Sequence, residues 1–402
     1  MRIAIAGAGI AGLTTALALA ARGIDVEVLE QAGQLGELGA GLQLSPNGTR
    51  VLQHLGLHDA LQPLVCEAAL KEIRLYSSGQ RWKLFDLGED CRARFGAPYW
   101  MVHRGDLHRV LLDSVRASPR VRVQLHARVV RANTVGAQAH FTLADGTQQQ
   151  VDALIASDGV HSVLREQLLG EDKARFTGLL AWRGLVPMQS LPAHLRVPAG
   201  QPVGTNWVGP GGHVITYPVR GGMLMNVVGI VERATWTTES WTQPGSQAEL
   251  QADFGHWHAD VRTLMGAIEQ PFQWALLGRT PRPGWAQGRV CLLGDAAHPT
   301  LPFLAQGANM AIEDAAVMAA CVAGAVATHG DIAQAFARFE ALRFERTANI
   351  VNRSADNAAR FHNPRLAEPD YAVHYINTEW ESEKVRRRYD WLFDYNALEV
   401  AA

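Results

Sequence analysis

The chain has 402 residues, of which 48% are hydrophobic and 19% charged, with a formal net charge of −2. That is the composition of a globular protein long enough for two or three domains, and it excludes a basic nucleic-acid binder or a protein held on an anionic membrane surface. Cys66, Cys91, Cys291 and Cys321 are scattered without C-x-x-C spacing. Neither a metal site nor a disulfide framework is therefore expected, and a reducing, cytoplasmic setting fits.

The first element reads as a buried strand, Ile3 to Ala6, running into Gly7-Ala8-Gly9-Ile10-Ala11-Gly12. A small-residue helix follows from Leu13 to Ala21, then a strand from Asp25 to Leu29 that ends on Glu30 and Gln31. Gly7 permits the tight turn, Gly9 lets a pyrophosphate approach the backbone, and Gly12 lets helix and strand pack closely. The helix N-terminus offers free N–H groups to the phosphates, and Glu30 is placed to accept the adenosine ribose hydroxyls. Leu17 to Ala21 resembles the apolar part of a signal peptide, but the glycines interrupt the run. No other stretch approaches the roughly 20 apolar residues of a membrane span. The turn by itself leaves NAD and FAD both open.

After a loop from Gly33 to Gly41, Pro46-Asn47-Gly48 reads as a turn into a helix over Thr49 to Leu55. A second amphipathic helix begins near Arg104-Gly105-Asp106, with Leu107, Val110, Leu111 and Val115 on one face. Strands are predicted over Val121 to Leu125 and Arg128 to Val130, and a hairpin around Asp145-Gly146 between Phe141 to Leu143 and Val151. The strand Ala153 to Ala156 ends at Ser157-Asp158-Gly159, with Ser162 and Arg165 at fixed offsets in the following helix.

From Phe176 to about Leu277 the chain is rich in tryptophan (Trp182, Trp207, Trp236, Trp241, Trp257, Trp274) and in glycine turns, which predicts an antiparallel sheet. Trp182 and Trp207 are expected to pack it. A buried strand then ends in Leu293-Gly294-Asp295-Ala296-Ala297-His298-Pro299, where Asp295 can accept hydrogen bonds from a sugar-alcohol chain. Leu301 to Asn309 forms a loop feeding an alanine-rich helix from about Met310, whose dipole favours negative charge at its N-terminus. The tail from Ala337 is helical and charged, with Arg386-Arg387-Arg388 as a solvated face.

Three ordered motifs, GAGIAG with Glu30, the DG pair at 158–159 and the GD pair at 294–295, resemble the FAD-dependent aromatic hydroxylases, single-component flavin monooxygenases related to p-hydroxybenzoate hydroxylase. The likeness covers nearly the whole chain. Gly39 to Asn47 and Ala305 to Asn309 are most similar to the salicylate, 3-hydroxybenzoate and 6-hydroxynicotinate hydroxylases of that family. The resemblance implies an α/β fold: a Rossmann-like FAD-binding domain at 1–176 and 278–350, an inserted antiparallel β-sheet substrate domain at 177–277, and a C-terminal helical segment at 351–402. It implies that Gly7, Gly9, Ala11, Gly12, Glu30 and Gln31 hold the ADP half of FAD, with Val129 touching adenine through its backbone. Arg104 would reach the phosphates or ribityl, Asp295 the ribityl chain, and Gly307, Ala308 and Asn309 the isoalloxazine, with Gln43 passing beside it. Asp158 is divided between a structural role and pyridine-nucleotide binding.

His213 and Tyr217 fall on one face of a strand. Such a pair is ordinarily packing; the resemblance implies instead that they polarise or deprotonate a ring substrate as catalytic residues, with Gln43 and Pro302 also lining its pocket. Pro299 and Pro302 would shape the space where oxygen reacts. Pro302 replaces a polar residue of the 3-hydroxybenzoate enzymes, which weighs against that substrate. His298 is as readily a loop residue as a catalytic one.

The implied reaction uses NADH or NADPH, O2 and a small aromatic acid, through a flavin C4a-hydroperoxide. A second glycine fingerprint for a separate nucleotide domain is missing, so the nicotinamide is expected to dock transiently. The family also implies a homodimer through the C-terminal helices. A bulkier aromatic such as a quinolone, or a non-hydroxylating FAD-binding protein of the same fold, remain alternatives. A flavin halogenase is disfavoured by the missing W-x-W-x-I-P pattern, and an NAD-only dehydrogenase by the GD motif.

Overall fold

The computed structural model describes residues 1–36, 40–198, 200–235 and 243–400. Gly39, Trp236 and Trp241 lie outside the described residues. Among those described, the chain is an α/β protein built on two large sheets and two small ones.

The first sheet has six strands, in the order Ala286–Gln287, Val290–Leu292, Ala153–Ala156, Arg2–Ala6, Asp25–Leu29 and Val121–Gln124. All pairings are parallel except that of Ala286–Gln287. Its central strands are near-continuous apolar runs because helices cover both faces; Ile3, Ile5, Ile155 and Leu292 are fully buried. The strand order matters for the site. Leu29, Ala6, Ala156 and Leu292 are C-terminal ends of adjacent strands, so Glu30, Gly7, Asp158 and Asp295 emerge along one edge. Ligands of open α/β sheets bind at that edge.

The second large sheet has eight strands: Gln243–Pro244, Phe272–Gly278, Arg175–Pro187, Leu224–Glu232, Gly212–Val219, Val203–Gly209, Leu70–Leu75 and Arg81–Asp86. Most of it is antiparallel, as expected. Its last two strands, however, come from far upstream of 177–277, and Leu70–Leu75 joins Val203–Gly209 in parallel. Alternation distributes the side chains between two cores. Ile73, Val208, Tyr217, Val228, Ile230 and Trp274 pack inward with Phe303, Leu304 and Met310. Trp182, Trp207, Val214 and Val227 pack outward beneath helices Gln247–Phe254 and Ala259–Gly266. Both tryptophans therefore brace the sheet and stand away from the inner face.

Gly41–Leu44, Trp100–His103 and Cys66–Glu67 make a small sheet between the halves, and Val129–Val135, Gln138–Leu143 and Gln148–Val151 form an antiparallel meander. Helix Gly307–Ala327 packs between Ile10–Ala20 and Ile332–Phe361. One expectation needs correction here. Gly307–Ala327 is long and apolar enough to cross a membrane by length and composition alone. It is apolar because neighbouring helices enclose it, and it carries Glu313 and Asp314, both fully buried and ion-paired.

Candidate active site

The three glycine motifs meet in space. Gly7 adopts a φ of 103°, and a Cβ there would stand 2.5 Å from the carbonyl oxygen of Ser157. A Cβ on Gly12 would stand 2.0 Å from the carbonyl oxygen of Gly7, and one on Gly294 would stand 2.9 Å from Cβ of Ala11. Gly7 and Gly12 are fixed by backbone contact, and Gly294 by the Ala11 side chain and a φ of 64°. Gly9 differs: nothing lies within 4 Å of where its side chain would be. That open space above the N-terminus of Ile10–Ala20 suits a pyrophosphate.

The Glu30 carboxylate accepts hydrogen bonds from the backbone N–H of Ala8 and of Ala32, each at 2.8 Å, which aims it at the mouth of the turn. Gln31 stands exposed beside it. His108 bonds the Ala8 carbonyl at 2.7 Å and steadies the same turn. The Val129 side chain is buried in the core, which leaves only its backbone for a ligand. Arg104 opens helix Arg104–Ala117, its backbone N–H bonded to the Ala40 carbonyl at 2.7 Å.

Asp295 supports the FAD fit most directly. It has a large accessible surface although protein surrounds it, as expected of a side chain lining an interior channel. Burial raises its carboxyl, and His298 and Arg104 pull it back, so all three share one electrostatic environment. Asp158 has one carboxylate oxygen buried without a partner; burial raises this carboxyl too, offset by the Ser162 hydroxyl and nearby backbone N–H groups. Ser162 caps helix Val163–Leu169, accepting from the Arg165 N–H at 2.8 Å. Arg165 binds Asp172 and the Ala296 and Ala297 carbonyls, tying the DG segment to the GD segment.

Gly307, Ala308 and Asn309 form the first turn of Gly307–Ala327. The Asn309 side chain is fully buried and engaged: it donates to the Gln43 and Ala305 carbonyls and accepts from the Ser45 N–H. A flavin would meet this residue through its backbone. The Gln43 side-chain oxygen accepts from Lys71 Nζ at 3.0 Å and from the Tyr99 hydroxyl at 2.8 Å, and its amide also bonds Tyr217.

Tyr217 and His213 do share the inner face of the sheet. Tyr217 lies against Gly41, where a Cβ would come within 2.6 Å of its ring. Burial raises the Tyr217 phenol, which stays protonated. Opposite it, the Asn226 side-chain oxygen accepts from the Gly41 N–H at 2.8 Å while its amide nitrogen is buried and unpartnered. His213 is fully buried, with Nδ1 2.6 Å from Nε2 of His362 and its own Nε2 without a partner. Its ring packs edge-on to Phe303, in the turn Pro302–Leu304 that carries Pro302. Ser354 and Asn357 of the long helix hold that turn through the Leu301 and Phe303 carbonyls. His298 belongs to a buried ion network, 2.6 Å from Asp314, which also binds Arg343.

The sequence reading missed Lys71, Tyr99, Arg183, Asn226 and His362. Arg183 lies opposite Val228, itself opposite Ile215, so it shares the face of Tyr217. Its guanidinium stacks on Trp274 at 4.0 Å, and burial lowers it to about 10. Lys71 reaches the same face from the far side, opposite Gly204; burial lowers it to about 8. No local pattern marks either residue, because each is placed by pairing with distant strands.

This fold and this edge of converging glycine motifs define a flavoprotein of the monooxygenase class. Residues 1–353 match the model of the family described as FAD binding domain, and the chain belongs to that family. It is 40% identical over 401 residues to the 3-amino-4-hydroxybenzoate 2-monooxygenase PtmB3 of Streptomyces platensis, covering 100% of this chain and 98% of that one. It is 36% identical to a 6-hydroxynicotinate 3-monooxygenase of Pseudomonas fluorescens, covering 89% and 91%. The structure of Klebsiella pneumoniae HpxO with FAD and uric acid is 28% identical, with a TM-score of 0.80 over 96% of each chain. The protein is thus an FAD-dependent monooxygenase of this family.

Proposed function

We propose that the protein hydroxylates a small phenolic or hydroxy-heteroaromatic acid, of the salicylate, hydroxybenzoate or hydroxynicotinate type, using NADH or NADPH and O2. Two enclosed cations, Lys71 buried and Arg183 half-buried, carry this reading. Lys71 and Arg183 flank Tyr217 on the inner face, and neither has a carboxylate partner among the described residues. A desolvated cation without a counter-ion is costly, and the carboxylate of the substrate supplies the missing charge. Arg183 offers the planar fork that suits it.

Bound FAD supplies the redox and oxygen-transfer chemistry. The residues of the chain bind, orient and move protons. Gly9 and the following helix N-terminus receive the phosphates, Glu30 the ribose and Asp295 the ribityl hydroxyls. Tyr217, kept protonated, orients the ring, and neutral His213 accepts the phenolic proton at Nε2. In this reading residues 177–277, joined by strands Leu70–Leu75 and Arg81–Asp86, form the substrate half of each subunit, and two subunits pair through the C-terminal helices as a cytoplasmic homodimer.

The test is oxidation of NADH and of NADPH by the FAD-loaded protein, with salicylate, 3-hydroxybenzoate, 6-hydroxynicotinate or 3-amino-4-hydroxybenzoate compared with no addition. Oxidation stimulated by one acid, with a product 16 mass units heavier (or the decarboxylated phenol), supports the reading. Stimulation only by a bulky neutral aromatic overturns it. Light scattering of the same sample reads the oligomeric state.

A further inference from the structure

His213 is the inner end of a hydrogen-bonded chain that leaves the site. Its Nδ1 lies 2.6 Å from Nε2 of His362, and Nδ1 of His362 lies 3.2 Å from Oε1 of Glu232. Burial falls along the chain: His213 is 0% exposed, His362 3%, and the Glu232 side chain 58%. The path therefore runs from the interior of the inner face to bulk solvent in two steps.

Its direction follows from the groups themselves. An ionised carboxylate can only accept, so His362 carries its proton on Nδ1. Its Nε2 is then a lone pair, which requires the proton between the rings to sit on Nδ1 of His213. That leaves Nε2 of His213 as a lone pair too, sealed from water and without a partner in the protein. A buried acceptor left open is costly, and a ligand hydroxyl would satisfy it. The surface carboxylate thus sets the interior imidazole as a base.

The chain is also well supported. The His362 carbonyl accepts from the Gly211 N–H at 3.1 Å, so the end of helix Ile332–Phe361 is docked on the hairpin that precedes His213. Phe361 and Phe303 wall the His213 ring. Burial lowers both imidazoles, His362 acting further on His213 and Glu232 partly restoring His362. Among the described residues no other charged group is seen to act on either ring.

Building on the function proposed above, we propose that His362 and Glu232 form a proton exit for the substrate hydroxyl, with His213 at its inner end. The hydroxyl O–H bond breaks as an N–H bond forms on His213 Nε2. The proton on His213 Nδ1 passes to His362 Nε2, that on His362 Nδ1 passes to the Glu232 carboxylate, and Glu232 releases it to water. The substrate is left as the ring-activating oxyanion, with neither imidazole holding net charge. His362 and Glu232 act through His213 and are positioning residues.

Two measurements on the FAD-loaded full chain test this. Nitrogen-15 imidazole NMR of the oxidised enzyme reads the tautomers without any ligand: both rings are expected neutral and protonated on Nδ1. A proton on His213 Nε2 overturns the proposal. Stopped-flow mixing with 3-amino-4-hydroxybenzoate and a pH indicator reads proton release. His362→Asn is expected to slow release about a hundredfold, and Glu232→Gln by a smaller factor, while the dissociation constants of FAD and the acid change less than about twofold. Glu232→Gln retains an acceptor for the His362 N–H but cannot take the proton, so added imidazole buffer should rescue this surface variant. Wild-type release rates in both variants, or no buffer rescue, overturn the proposal. If the acid does not bind the wild type, the substrate reading fails for that acid and the tautomer measurement still decides the proton path.

Discussion

The parallel sheet and the antiparallel sheet build their halves of the site by opposite means. On the parallel side the site is backbone: a turn at Gly7, open space at Gly9, helix N-termini at Ile10 and Gly307, and carboxylates at strand ends. On the antiparallel side it is side chains, with Lys71, Arg183, Asn226 and the pair His213 and Tyr217 projecting from four different strands. In the proposed reading the first arrangement meets what every FAD shares. The second can change its ligand by exchanging side chains while the sheet stays intact, because alternation confines the cost to one face.

The largest expected effect lies where the halves join. Helix Gly307–Ala327 carries Glu313 and Asp314, and Arg343 on the next helix binds both, all three fully buried. Arg343→Met leaves two buried carboxylates under-compensated and should destabilise the fold by about 3–5 kcal/mol in urea unfolding. The network also has a pH signature. Burial pushes the Asp314 carboxyl up, but His298 and Arg343 outweigh it and hold the group at about 2 against an ordinary 3.8. The resulting stability is present above about 4 and is lost as pH falls from there towards 2. Acid unfolding of Arg343→Met should lack much of that dependence.

Next comes the backbone half. Gly12→Ala drives a Cβ to 2.0 Å from a carbonyl oxygen, and the two backbones must separate. FAD binding should weaken by about 3 kcal/mol, read by flavin fluorescence titration, with substrate-sheet packing unchanged in near-ultraviolet circular dichroism. Equal loss of both signals would break the distinction between the halves.

On the side-chain half, Arg183→Met should raise the KM for the acid by about 1.5–3 kcal/mol, with FAD affinity kept. The carboxamide analogue should be insensitive to the same change. Lys71 then remains as the cation, and since burial lowers it to about 8, acid binding by Arg183→Met should weaken as pH rises through 8. The smallest effect is Tyr217→Phe. It removes the bond with Gln43 and should cost about 1 kcal/mol in KM.

The same division governs what can be read from the chain. The placements of Gly7, Gly9, Glu30, Asp158 and Asp295 are legible because each follows a strand end, a local relation, and that of Gly12 because it lies in the first turn of the helix that follows. So is the pairing of His213 with Tyr217, which only needs period two. Lys71 lay in Leu70–Leu75, a stretch without turn signals whose parallel partner lies far along the chain. His362 reads as one more helix-end histidine until the hairpin at Gly211 docks on it. Asn309 shows the limit from the other side: its place in the loop was legible, but not that Gln43, Ser45 and Ala305 would engage its side chain.

By itself, then, the sequence determined the edge where glycine turns and strand-end carboxylates converge, since glycine conformation and helix and strand ends are set over a few residues. It also determined two opposed faces in the antiparallel sheet, because alternation needs nothing distant. Only the tertiary structure decided which cations those faces carry, which histidine stands behind His213, and that the long apolar helix Gly307–Ala327 is core. Those properties depend on burial and on partners remote in the chain, and desolvation has no local signature.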